Sequence, residues 1–199
     1  MLKKFIVFLV CFIPICTSAN YNDIYVANIQ YDWINKSMVE KEAMIKEIHD
    51  IIFAAKPEQR KDLKTLFKDK LKDKDHIDNY LAADAGHKEY KENKISAFYY
   101  KKMKNPYMYA LQGKNDTSNA FYYDAMGNLR YVDFINGDYP DYPYYTIQYK
   151  ISGSPVSVSY SISEDCQYMF KPNGEFEGVW YKHNLYNTKN KIILKRTTY

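Results

Sequence analysis

Apolar positions recur at three- and four-residue steps in the first half of the chain and at every second residue, between turn residues, in the second half. Ser37 and Glu40 match a capping box, in which the hydroxyl takes an orphan N–H and the carboxylate reaches back. Val39, Ala43, Ile45, Ile48, Ile51, Ile52 and Ala55 then keep helical spacing and predict a helix from Met38 to about Ala55. Pro57 suits the first turn of a second helix, where its missing N–H costs nothing, and Leu63, Leu66, Phe67 and Leu71 carry its apolar stripe to about Lys72. A third helix is expected over Ile77 to about Tyr90. Beyond Asn93 the pattern predicts short strands near Ile95–Lys102, Tyr107–Leu111, Ala120–Tyr123, Leu129–Ile135, Tyr144–Ile151, Val156–Ile162, Gln167–Phe170, Phe176–Tyr181 and Ile192–Arg196. Each intervening turn carries a Gly or Asn able to take positive φ, and the short intervals leave room only for antiparallel neighbours.

Composition sharpens this division. Seventeen of the 22 tyrosines lie in residues 95–199, as do six of the seven glycines. The expected architecture is α+β, with two or three N-terminal helices (residues 20–94) packed on one face of a C-terminal antiparallel meander of eight or nine strands (residues 95–199).

The first nineteen residues stand apart. Lys3 and Lys4 form a basic head, Phe5 to Cys16 an apolar run, and Thr17-Ser18-Ala19 a small-residue exit, which together read as an export signal cut near Ala19. The apolar run holds twelve residues and Pro14, too few to span a membrane, which takes roughly 20. The remaining chain is expected to be periplasmic or extracellular, without a transmembrane span. Losing Lys3 and Lys4 leaves 26 basic against 24 acidic residues, so the near-neutral balance gives no footprint for nucleic acid. Lys and Asp alternate between Lys64 and Asp75, as on a solvated helix face. Cys11 and Cys16 leave with the leader, and Cys166, alone, has no intramolecular partner for a disulfide.

Three hairpins share a rule: an aromatic, three turn residues, Gly or Asn, a polar residue, then an apolar one. They are Tyr123–Leu129, Phe170–Phe176 and Tyr186–Ile192. The segment YYDAMGNLRYVD, Tyr122–Asp133, resembles the hairpin units of the YD-repeat and variant MORN-repeat groups. The resemblance implies β-hairpins that form an extracytoplasmic interaction surface, and it carries over no functional residue. The spacing between the Gly or Asn positions, 47 and then 16 residues, lacks a regular period.

Candidate chemistry is sparse. Cys166 and His183 form the one nucleophile pair worth weighing, as in a thiol hydrolase acting on cell-wall or peptide substrates. Glu164 and Asp165 precede the thiol and would hold it protonated, so no catalytic residue is assigned. His49, His76, His87 and His183 show no metal-ligand spacing, and no metal or other cofactor is expected. Tyr139-Pro140-Asp141-Tyr142-Pro143-Tyr144-Tyr145 is the densest aromatic segment, and its prolines exclude a central strand. Tyr139, Tyr142, Tyr144 and Tyr145 are the candidate binding residues, suited to an envelope protein, a peptide or a glycan. The sequence therefore points to an exported, non-enzymatic binding protein that uses a Tyr-rich sheet surface; the alternatives are the thiol hydrolase and an inhibitor of an extracytoplasmic enzyme.

Overall fold

The structure, a computed structural model, describes residues 62–73, 93–137 and 139–197, together with Glu89, Tyr90 and six positions between Val39 and Asp50. Eleven strands follow one another: β1 Glu89–Tyr90, β2 Asn93–Tyr100, β3 Met108–Gly113, β4 Asn119–Asp124, β5 Leu129–Gly137 and β6 Tyr144–Lys150, then β7 Pro155–Ser163, β8 Cys166–Phe170, β9 Phe176–Tyr181, β10 Asn184–Asn187 and β11 Ile192–Thr197. From β2 onward each pairs antiparallel with the next, and β11 pairs back onto β2 through Thr197↔Ala97 and Leu194↔Tyr100. The result is a closed antiparallel barrel of ten strands, with β1 a short flap beside β2.

A nearly all-β closed barrel overturns the expected α+β arrangement of helices packed on one face of a meander, an arrangement that leaves closure of the sheet undecided. A sheet that meets its own first strand has no edge left to cover, and each strand obtains both rows of partners from its neighbours. The predicted strands lie close to the observed ones, and β10 is not among them. The second helix is also shorter than expected. Among the described residues of that stretch only Leu63–Leu66, here α1, is α-helical; Asp62 caps it by accepting from the Thr65 N–H at 3.1 Å, and after Phe67 (φ −115°, ψ 35°) Lys68–Lys70 form a 3-10 turn. Of the helix predicted over Met38–Ala55, the six described positions are helical, and the rest lies outside the described residues. The helix predicted over Ile77–Tyr90 ends instead in strand β1, and its earlier part lies outside them too, as does the leader.

The recurrent hairpin rule has a common geometry. In the turns starting at Asp124, Lys171 and Asn187, the first residue donates to the carbonyl four residues on and accepts from the N–H three residues on. Positive φ falls on Gly127 (76°), Gly174 (82°) and Asn190 (58°). Lys150 and Gly153 repeat it. These turns join adjacent strands of one closed ring.

Alternation sorts the side chains into two faces. One set draws Phe98, Tyr122, Asp133, Gln148, Ser159, Gln167, Trp180, Leu185 and Arg196 with others from all ten strands around shared cavities, a convergence only the inside of a ring permits. Phe98 on β2 accordingly meets Trp180 on β9 with ring centroids 6.1 Å apart, across three strand intervals.

The other set faces outward and is mostly apolar. Val132, Val158 and Val179 are fully buried there, each between larger cross-strand partners: Phe121 and Tyr149, Ile147 and Phe170, Tyr168 and Tyr186. Segment 63–73 docks on this outer face. Leu63 is fully buried, and the Phe67 ring meets Phe121 edge-on at 5.0 Å. The backbone bonds Leu129 N–H to Leu71 O (3.0 Å) and Asp73 N–H to Gly127 O (2.9 Å) fasten the segment to the β4–β5 turn.

Candidate functional site in the barrel lumen

Two cavities occupy the barrel interior, of about 180 and 310 Å³, and Phe98, Tyr122, Asp133, Thr146, Gln167 and Arg196 line both. Their walls differ in chemistry. Strands β6 to β8 contribute hydroxyls and amides, Thr146, Gln148, Ser157, Ser159, Ser161 and Gln167; β2, β3 and β9 to β11 contribute Phe98, Met108, Trp180, Leu185 and Leu194 to the smaller cavity, and β2 and β3 add Lys94, Ser96 and Gln112 to the larger. The polar wall follows from the sequence of β7, where Ser157, Ser159, Ser161 and Ser163 alternate with Val158, Tyr160 and Ile162. Period-two alternation sends every serine to one side, and so short a side chain leaves the lumen open.

Asp133 lies on this inner face of β5, buried, with both carboxylate oxygens engaged: the Tyr122 hydroxyl donates at 2.6 Å and the Gln148 amide at 2.9 Å. Burial pushes its pKa up to about 6, against the lowering by those two donors. The same burial, with the carboxylate beside it, drives the Tyr122 hydroxyl well above its ordinary value.

Arg196 on β11 is a buried cation that lines both cavities. Its guanidinium lies over the Trp180 ring, 4.6 Å from the centroid. Nη1 approaches Gln167 Oε1 at 3.5 Å, and Gln167 is itself oriented by donating to Ser159 Oγ at 2.8 Å. Nε is shut away from solvent with no hydrogen-bond partner, and among the described residues no carboxylate pairs with the guanidinium. Burial works against its charge, while the oxygens of Tyr122, Tyr144 and Tyr142 work for it. An orphaned donor on a buried cation costs free energy, on the order of 1–3 kcal/mol, that a bound anion recovers.

Tyr139, Tyr142 and Tyr144 line the larger cavity beside Lys94 and Glu164, whereas Tyr145 points to the other face and stacks on Tyr160 at 4.6 Å. Tyr139 and Tyr142 each pack on Tyr144, at 5.0 and 5.4 Å, and the peptide bonds before Pro140 and Pro143 are cis. Three of the four candidate tyrosines thus meet at one cavity. The sequence reading missed Arg196, Asp133, Trp180 and Gln167, which lie on strands whose inner face no local pattern identifies.

Cys166 is elsewhere, buried on the outer face among Val179, Tyr181 and Tyr186. Burial and the adjacent Asp165 push its thiol up to about 11, opposite to what a nucleophile needs. His183 is exposed, in the turn between β9 and β10. Among the described residues no three metal-ligating side chains gather. Comparison with family models, with curated proteins and with solved structures returns no match to this chain.

Proposed function

We propose that this protein binds a small anionic ligand inside its barrel, with Arg196 as the anchor. The carrying observation is the guanidinium itself: lodged in the lumen, stacked on Trp180, with one nitrogen 3.5 Å from Gln167 Oε1, Nε unpartnered, and no ion pair among the described residues, Asp133 and Glu164 lining the same space without reaching it. The outward tyrosines Tyr109, Tyr123 and Tyr186 are buried, so the binding surface moves from the outside of the sheet to the inside. Tyr139, Tyr142 and Tyr144 then serve as aromatic walls of the wider cavity.

An apolar outside and a polar inside also suit a barrel in a lipid bilayer. The strands of this ring run four to nine residues, most of them shorter than the roughly 9–11 that cross a membrane, which favours the binding reading. The basic head and apolar run of residues 1–19 support placing that activity outside the cytoplasm.

Isothermal titration with acetate, benzoate and inorganic phosphate tests the reading. The wild type is expected to bind at least one of these anions, and Arg196→Gln to bind it at least tenfold more weakly, with unchanged circular dichroism. Equal affinity in the folded variant, or no binding of any of the three at millimolar concentration, would refute it.

A further inference from the structure

Resting on that reading, we infer that the ligand is a carboxylated sugar: a hexuronate or the acidic end residue of a glycan. Three features of the lumen converge on this class. First, the Arg196 guanidinium borders both cavities with no ion pair among the described residues, and a guanidinium is a planar array of donors that meets a planar carboxylate with two parallel bonds. Second, the two walls match the two aspects of a pyranose ring. In the smaller cavity Phe98 and Leu185 present apolar surface to its C–H face, beside the Trp180 ring that Arg196 covers, while Thr146, Ser157 and Gln148 present donors and acceptors to its hydroxyls. Third, the size is that of one ring. Cavities of about 180 and 310 Å³ lie at or below the low end of the roughly 300–1,000 Å³ that holds a drug-sized ligand, which favours a single ring over a long acyl chain.

An aliphatic carboxylate would satisfy Arg196 but leave the serine wall facing hydrocarbon. A neutral sugar would satisfy that wall but leave the guanidinium unpaired. A site built to hydrogen-bond a group rejects analogues lacking it, because its own polar atoms are then stranded. A glycan continuing from the bound residue would run out past Tyr139 and Tyr142, in the wider cavity with Lys94 and Glu164.

The test is calorimetric titration of the full chain with glucuronate, glucose and hexanoate, repeated on Arg196→Lys and Ser157→Ala. Glucuronate is expected to bind at least tenfold more tightly than either of the others. Arg196→Lys, which keeps the charge and loses the planar donor array, is expected to weaken glucuronate at least tenfold, and Ser157→Ala to weaken glucuronate while leaving hexanoate unchanged. Hexanoate binding as tightly as glucuronate, and weakened in Arg196→Lys, would overturn the sugar assignment while leaving the anion reading intact. Glucose matching glucuronate, or no binding of either carboxylate, would overturn the sugar-acid assignment, and the anion reading then falls only if acetate, benzoate and phosphate also fail to bind. Circular dichroism of each variant separates loss of binding from loss of fold, and Ser157→Ala keeps the inference open to refutation if Arg196→Lys does not fold.

Discussion

Replacing Asp133 by Asn should make the barrel more stable at alkaline pH. The carboxyl is raised from 3.8 to about 6 by burial, so the native state holds its proton more tightly than the unfolded chain does. Between about pH 4 and 6 the native state therefore binds more protons, and wild-type stability falls as pH rises through that window and stays low above it. At 1.36 kcal/mol per pKa unit, a rise of about two units corresponds to about 3 kcal/mol of charge burial at pH 8. Asn carries no charge at any pH. Its carbonyl accepts from the Tyr122 hydroxyl, and the Gln148 amide, which donates to Asp133 at 2.9 Å, need only reverse to accept from the new NH₂. Allowing about 1 kcal/mol for imperfect replacement bonds at every pH, the variant is expected to gain about 2 kcal/mol over wild type at pH 8 and to lose about 1 kcal/mol at pH 4. Urea unfolding of both proteins at half-unit steps from pH 4 to 8 measures the gap directly. A gap that stays constant with pH would refute the reasoning, since only a titrating Asp133 makes it vary.

Gly178 on β9 has φ of 155°, and a Cβ there would lie 2.0 Å from the Tyr186 carbonyl oxygen; Gly178→Ala should cost about 3 kcal/mol in chemical denaturation, and a loss under 1 kcal/mol would show that the β9–β10 pairing adjusts. Cys166, buried and with its thiol raised to about 11, should be inert to an aromatic disulfide reagent at pH 7.5 until urea unfolds the chain, and rapid native labelling would contradict its burial. Tyr144→Ala should weaken binding of whichever anion the lumen takes, whereas Tyr145→Ala, which loses the stack on Tyr160, should lower stability and spare affinity. Calorimetry and thermal melts on the two variants separate these effects.

Strand positions were legible because each strand carries its own signal. Val156–Ile162 differs from the observed β7 by a residue at each end, and Phe176–Tyr181 matches β9. Turn chemistry was legible for the same reason: Gly127, Gly174 and Asn190 take the positive φ their positions required. Closure was not, because it depends on Ala97 finding Thr197, 100 residues away, and no local pattern encodes that pairing. Without closure the direction of curvature is open, and Tyr109, Tyr123 and Tyr149 look like the buried side of an open sheet. They are buried, but on the convex side. The overlooked signal was the serine file of β7, four small polar residues on one face of a strand whose other face is apolar, which fits an occupied interior better than a solvent face. The segment Asn184–Asn187 was missed because it is only four residues long and Lys182-His183, with Lys182 at φ 52°, turns without the Gly or Asn that marks the hairpins at Gly127, Gly174 and Asn190.

The Nε–Hε resonance of Arg196 tests the central claim most directly, followed by ¹H–¹⁵N correlation while glucuronate is added, with Arg196→Lys identifying the peak. A carboxylate meeting the guanidinium should move that proton downfield in a saturable manner, with smaller changes at the Trp180 indole and none at the outer-face tyrosines. A resonance that stays in place while outer-face signals shift would show that the lumen is packing alone and that recognition lies on another surface.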